Sequence, residues 1–176
     1  MHILNVYASR RGATRGIAER IGEVLAADGL EVTTRSVVGA PDPAGYDACL
    51  IGAAAYVGNW LKEATGYVRA NEAALASRPV WLYSSGPLGT ATTDAKGRDV
   101  RVNAAPKEFA GLGEAIRPRD LHVFFGALVV SGLSLRERVV RTVPAARTLL
   151  TEGDFRDWSE IEAWAHGIAR DVSGRR

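Results

Sequence analysis

The residues best placed to do chemistry early in the chain are Ser9-Arg10-Arg11-Gly12-Ala13-Thr14, between an apolar run ending at Tyr7 and an amphipathic stretch beginning near Ala13. Their position makes them a strand-to-helix turn. In such a turn the amides of residues 10–14 can point inward as a nest, Gly12 lets the backbone come close, and Ser9 and Thr14 add hydroxyls. The helix start adds partial positive charge, so the loop suits a phosphate. It carries neither the Gly-Lys-Ser/Thr of a nucleoside triphosphate site nor the G-x-G-x-x-G of a dinucleotide site. A terminal monophosphate is the expected occupant, and an ordinary glycine turn capped by Ser9 is the plainer alternative. Elsewhere the chain offers little acid–base chemistry. Its histidines are His2, His122 and His166, none next to Cys49 or in an i,i+4 pair, so neither a Ser-His-Asp triad nor a metal-spaced histidine pair can be built.

The elements that must position the loop alternate. His2–Tyr7 reads as a buried strand, and Ala13–Asp28 as a helix with the stripe Ile17, Ile21, Leu25, closed by Gly29. Glu31–Val38 and Tyr46–Gly52 read as strands, and a helix is expected from Trp60 to about Ala76. Pro79–Ser84 and His122–Val130 are near-continuous apolar runs, as in strands covered on both faces. Between them lie a Gly- and Thr-rich crossover, Ser85–Pro106, and a short helix, Lys107–Ile116. Leu133–Leu150 is amphipathic with an interruption at Pro144, and Asp157–Val172 is a last helix whose Asp157 and Glu160 form a capping-box pattern. The sum is an α/β chain, a doubly wound five-stranded parallel sheet of strand order 2-1-3-4-5 with helices on both faces. The site is expected at the carboxyl ends of strands one, three and four.

Composition sets the limits. A chain of 176 residues, 47% hydrophobic and 24% charged, is expected to form a single domain over residues 1–176. Net charge is +2, too small to argue for nucleic acid. Arginine carries nearly all the positive charge, since Lys62, Lys96 and Lys107 are the lysines; a GC-rich genome would give the same bias. One thiol, Cys49, excludes an internal disulfide and points to a reducing compartment. The N-terminus enters an apolar run without a basic leader, and nothing approaches about 20 uninterrupted apolar residues, so a cytoplasmic protein is expected.

Ser9-x-x-Gly12-x-Thr14 resembles the phosphate loop of the flavodoxin superfamily, Ser/Thr-x-Thr/Ser-Gly-x-Thr, with Arg11 in place of the hydroxyl residue of electron carriers. The run from Ser9 to Ala18 is more similar to the menaquinone-dependent protoporphyrinogen dehydrogenase family, whose loop has Arg at the position of Arg10. Ile51-Gly52-Ala53-Ala54-Ala55-Tyr56-Val57-Gly58 resembles that family's strand-three signature Ile-Gly-Ala-Ser-x-x-Tyr-Gly with the tyrosine displaced by one. Phe125-Gly126-Ala127-Leu128 resembles its Gly-Ala-Leu, and Asp154-x-Arg156-Asp157-Trp158, with Ile161 and Trp164-Ala165, its C-terminal helix.

The resemblance implies a flavodoxin-like fold and FMN as cofactor. It places the phosphate on Ser9, Arg10, Arg11, Gly12, Ala13 and Thr14, and the ring among Ala54, Ala55, Tyr56, Val57, Gly58, then Ser84, Ser85, Gly86, Pro87, Leu88, Gly89, with Gly126 and Ala127. Tyr56 is the first candidate to stack on the ring, with Trp60 as the other aromatic and core packing open for both; Trp81, Trp158 and Trp164 read as core or packing residues. It further implies an oxidoreductase that moves electrons from a reduced donor, such as a porphyrinogen of heme biosynthesis, to a quinone, with the cofactor carrying the electrons. A flavodoxin-type electron carrier is the alternative, and a module that has lost its cofactor a third. Carriers are typically acidic around the flavin, which Arg10, Arg11 and Arg15 argue against. Ser131–Arg141 is short and mixed in charge, which weakens the family's peripheral place at the inner membrane face.

Overall fold

The computed structural model describes residues 1–128 and 152–174. Strands β1 (His2–Ala8), β2 (Glu31–Ser36), β3 (Ala48–Tyr56), β5 (Val80–Ser85) and β6 (Asp120–Phe124) form a parallel sheet in the order β2-β1-β3-β5-β6. This is the expected 2-1-3-4-5 winding, with one addition: β4 (Asn59–Trp60) folds back antiparallel on β3.

Period-two alternation sorts the strand side chains into two cores. Leu4, Val6, Cys49, Ile51 and Leu82 face α2 (Lys62–Ala70), α3 (Glu72–Ala76) and α5 (Glu108–Ile116) through Ala64, Val68, Leu75, Phe109 and Leu112. Ile3, Leu50, Trp81 and Tyr83 face α1 (Ala13–Ala27) and α6 (Trp158–Ser173) through Ile17, Ile21, Leu25, Ile161, Ala165 and Ile168. Covered on both faces, the inner strands carry the near-continuous apolar runs seen in the sequence. One close approach locks the layers together. Tyr83 is fully buried against Gly52, its hydroxyl donates to Asn5 Oδ1 at 3.2 Å, and Asn5 Nδ2 donates to the Ala18 carbonyl of α1 at 2.8 Å.

Four expectations change. The helix expected from Trp60 begins at Lys62, because Trp60 belongs to the β3–β4 hairpin, and it breaks at Asn71 into α2 and α3. Strand three runs on to Tyr56, so Ala54, Ala55 and Tyr56 are strand residues. The fifth strand stops at Phe124; after Phe125-Gly126 the chain forms β7 (Ala127–Leu128), paired with β8 (Gly153–Asp154). Finally, the long crossover contains a short helix, α4 (Val100–Ala104). The amphipathic stretch Leu133–Leu150 lies outside the described residues. Among the described residues no helix is long and apolar enough to cross a membrane.

The capping box of α6 is half made. The Glu160 amide donates to Asp157 Oδ1 at 3.0 Å, but the Glu160 carboxylate turns outward, taking Arg101 Nη1 at 2.6 Å and lying 3.2 Å from His122 Nε2. That pair holds the crossover to α6. Within the crossover, Asp99 caps α4 by accepting from the Arg101 amide at 2.8 Å, and Asp94 accepts from Arg98 and Asn103. The Arg101 guanidinium and amide hold the Asp99 carboxyl below the usual carboxylate range, and the Arg98 amide and guanidinium do so for Asp94. Both groups therefore favour the folded crossover above the ordinary carboxylate value and lose that contribution as the pH falls through their lowered values. Amide protection over Val100–Ala104 is expected to hold near neutral pH and to fall below about pH 4, as read by hydrogen exchange. Protection that stays constant down to about pH 3 would show that these carboxylates do not hold the segment.

Candidate functional site

The sheet's carboxyl edge gathers the loops. Ala8 pairs with Ala53, Ala53 with Ser84, and Ser85 with Phe124, so β1, β5 and β6 end side by side while β3 runs on past them to Tyr56.

After β1, Gly12 takes φ +85° immediately before α1, a conformation that favours glycine, and its amide donates to Ser9 Oγ at 3.0 Å. Ser9 therefore tightens the turn without capping the helix. α1 has no side-chain cap and no acidic residue in its first turn. Its leading amides lack intrahelical acceptors by helix geometry. Arg10, Arg11 and Arg15 are its neighbours in the chain, Arg15 paired with Glu19 at 2.7 Å, and Arg156, itself paired with Asp154, reaches the Ala13 carbonyl. An uncapped helix start of this kind suits an anion. Thr14 is fully buried, with Oγ1 2.7 Å from Ser85 Oγ, which ties the first turn of α1 to the end of β5.

After β3, Val57 and Gly58 both take positive φ, 53° and 71°, as a two-residue hairpin turn of this hand requires. Val57 is 95% exposed, and a β-branched residue in the left-handed region is strained. The Lys107 amide donates to the Gly58 carbonyl at 3.0 Å, and Lys107 Cε lies 3.7 Å from where a Gly58 Cβ would stand. Tyr56 is half-buried at the turn, with the Arg10 guanidinium 5.2 Å from its ring centre. Trp60 is committed to the core: it is 3% exposed, its indole N–H donates to the Ala53 carbonyl at 3.1 Å, and it meets Phe109 edge-on. Of the two aromatic candidates, only Tyr56 stands at the site.

After β5, the serines diverge. Ser84 is fully buried on the α5 side, with no hydrogen-bond partner for its hydroxyl among the described residues, whereas Ser85 reaches Thr14. The Gly86 amide donates to the Phe124 carbonyl and the Gly126 amide to the Pro87 carbonyl, both at 3.0 Å, so Gly86-Pro87-Leu88-Gly89 lies against Gly126. A Cβ at Gly126 would come 3.5 Å from the Gly86 oxygen and from Leu88 Cδ2. Ala127 sits in β7, just beyond.

The structure thus brings together the four segments singled out in the sequence, with Ser84 turned away from the other loop residues. It adds Lys107, which local spacing did not mark because its neighbour, Gly58, is about fifty residues away. Of the tryptophans read as core or packing residues, Trp158 is a packing residue: it is 38% exposed, beneath the guanidinium of Arg156.

A family model described as a flavodoxin domain matches residues 4–146. No curated protein matches the chain in sequence. Among solved structures, Flavodoxin 2 from Bacillus cereus is 18% identical and aligns over 97% of this chain and 99% of that one, with a TM-score of 0.60. A flavodoxin from the domain Archaea is 16% identical over 98% and 99% of the two chains, with a TM-score of 0.58. A rubredoxin oxygen:oxidoreductase from the anaerobe Desulfovibrio gigas is 12% identical, covering 98% of this chain but 36% of its own length, with a TM-score of 0.57. At these identities the structural likeness shows the fold alone. The α1 start fits the phosphate of FMN, since its leading amides have no side-chain cap and no acidic residue lies in its first turn. A family match over so much of the sequence makes the chain a member of the flavodoxin domain family, with FMN as its cofactor and electron transfer as its work.

Proposed function

We propose that the protein is an FMN-dependent oxidoreductase that takes electrons from a reduced organic donor, with a porphyrinogen as the expected substrate, and passes them to a quinone. The observation that carries this reading is the charge beside the ring-binding turn: Arg10 lies over Tyr56 and Lys107 against Gly58. A carrier that docks on basic partner proteins needs an acidic collar there. Two cations beside an exposed apolar tip, Val57, suit an apolar, anionic small molecule instead.

In this reading Ser9, Arg10, Arg11, Gly12, Ala13 and Thr14 hold the phosphate, and Ser85 steadies Thr14 from below. Tyr56 covers one face of the ring, while Ala54, Ala55, Val57 and Gly58 on one side and Gly86, Pro87, Leu88, Gly89, Gly126 and Ala127 on the other shape its edges. When bound, FMN supplies the redox chemistry. The chain binds it, orients it and limits what can approach. We place the protein in the cytoplasm, where Cys49 stays reduced; Ser131–Arg141, on which a membrane-surface position would depend, lies outside the described residues.

A pure electron carrier is the second reading, favoured by the flavodoxins that align with nearly the whole chain. The two separate in one assay. The FMN-loaded protein is expected to turn over a porphyrinogen with a quinone and to accept electrons poorly from a ferredoxin-type reductase. Fast reduction by the reductase, with no quinone turnover, would make it a carrier.

A further inference from the structure

We infer that the segment Asp154-Phe155-Arg156 is a clasp that sets the FMN phosphate loop from outside the site, with Arg156 as its positioning residue. This rests on the reading that the phosphate lies at residues 9–14. Arg156 is 143 residues from Ala13 in sequence, yet its Nη1 donates to the Ala13 carbonyl at 3.3 Å, in the first turn of α1. The guanidinium is fixed on two further sides. It pairs with both oxygens of Asp154, Nε to Oδ1 at 2.8 Å and Nη2 to Oδ2, and it lies 4.4 Å from the ring centre of Trp158.

The helix accommodates it with a glycine. A Cβ at Gly16 would stand 2.6 Å from Arg156 Nη1, so a bare α-carbon at that position lets the guanidinium lie across the first turn. Glycine inside a helix is unfavourable relative to alanine, so Gly16 weakens α1 and serves the contact. The same segment holds the second loop. The Phe155 amide donates to the Gly126 carbonyl at 3.1 Å, and Gly126 in turn donates to Pro87. One stretch of three residues therefore contacts both the first turn of α1 and the turn after β6, which in turn bonds the turn after β5.

The consequence is directional. Hydrogen bonds weaken steeply off-axis, so an anion at the start of α1 is bound in proportion to how well the Gly12–Thr14 peptides are aimed. A clasp that is already assembled removes the ordering cost from the binding step.

The test uses the full chain with Arg156→Ala, Arg156→Lys and Gly16→Ala, each titrated with FMN and with riboflavin, and thermal unfolding of the apo forms. Arg156→Ala is expected to lower FMN affinity by up to about tenfold, because the loosened first turn must then be ordered in the binding step, without changing riboflavin affinity. Arg156→Lys keeps the charge but not the fork that grips Asp154, and is expected to lose as much. Gly16→Ala displaces the flexible end of Arg156 instead of the backbone, so FMN affinity is expected to fall likewise, with the melting temperature equal to or above that of the wild type. Full FMN affinity in Gly16→Ala, equal losses for riboflavin, or rescue by lysine would overturn the clasp. Equal affinity of the wild type for FMN and riboflavin would overturn the phosphate-loop reading, and the clasp with it.

Discussion

Replacing Arg11 by alanine is expected to weaken FMN binding about ten- to hundredfold and to leave riboflavin binding and the flavin's ring spectrum nearly unchanged. The start of α1 carries roughly half a positive charge, and a cation beside it is unfavourable by about 0.3–1 kcal/mol when no anion is present. α1 has no acidic residue in its first turn and no side-chain cap. A dianionic phosphate removes the repulsion and takes a charge-assisted hydrogen bond from the guanidinium, worth about 1.5–3 kcal/mol net. Titration of both proteins with FMN and riboflavin at low and high salt decides the matter. Equal FMN affinities would mean that the backbone amides, Ser9 and Thr14 hold the phosphate without Arg11, while a small difference that vanishes in salt would mean that Arg11 points to solvent.

Gly52→Ala is expected to destabilise the fold by about 3 kcal/mol or more, the upper end for a forced methyl in a packed core. The new Cβ would stand 2.0 Å from Cε2 and Cζ of Tyr83 and 2.5 Å from its hydroxyl oxygen. The ring has nowhere to go. Tyr83 is fully buried, edge-on to Phe124 and Trp164, and any shift breaks its bond to Asn5, which leaves a buried amide oxygen unpaired. Urea unfolding of the apo protein reads the loss. Adding Tyr83→Leu to Gly52→Ala is expected to recover part of it, because the two positions share one space. Wild-type stability in Gly52→Ala alone would show that the strands separate easily at this point.

The first strand, the turn from Ser9 to Gly12 and α1 were legible because each signal is local: an apolar run, one glycine, and the stripe Ile17, Ile21, Leu25. The parallel sheet was legible for the same reason, since the inner strands are apolar on both faces, and its order followed from the alternation of strands and helices. The β3–β4 hairpin was not. Its turn puts Val57, a β-branched residue, at positive φ, against the preference that marks such turns in a sequence. With the turn hidden, Trp60 read as the start of a helix, whereas its indole is held by Ala53 across the hairpin. Glu160 matched a capping box, yet its carboxylate answers to Arg101, 59 residues away. At the site, the loop residues were visible as small and polar segments, but Lys107 and Arg156 act across long sequence separations that no spacing rule records. The resemblance at Asp154-x-Arg156-Asp157-Trp158 marked the segment; only the fold shows that it grips Ala13.

The most direct measurement of the central claim, a monophosphate flavin held at the start of α1, is the identity and amount of flavin released by heat from the purified protein incubated with excess FMN and FAD. One FMN per chain, with little FAD retained, is the expected result, because we assign a terminal phosphate to the loop from Ser9 to Thr14 and the sequence has no second phosphate motif for an adenylate. Retention mainly of FAD, or a protein that stays colourless, would contradict it.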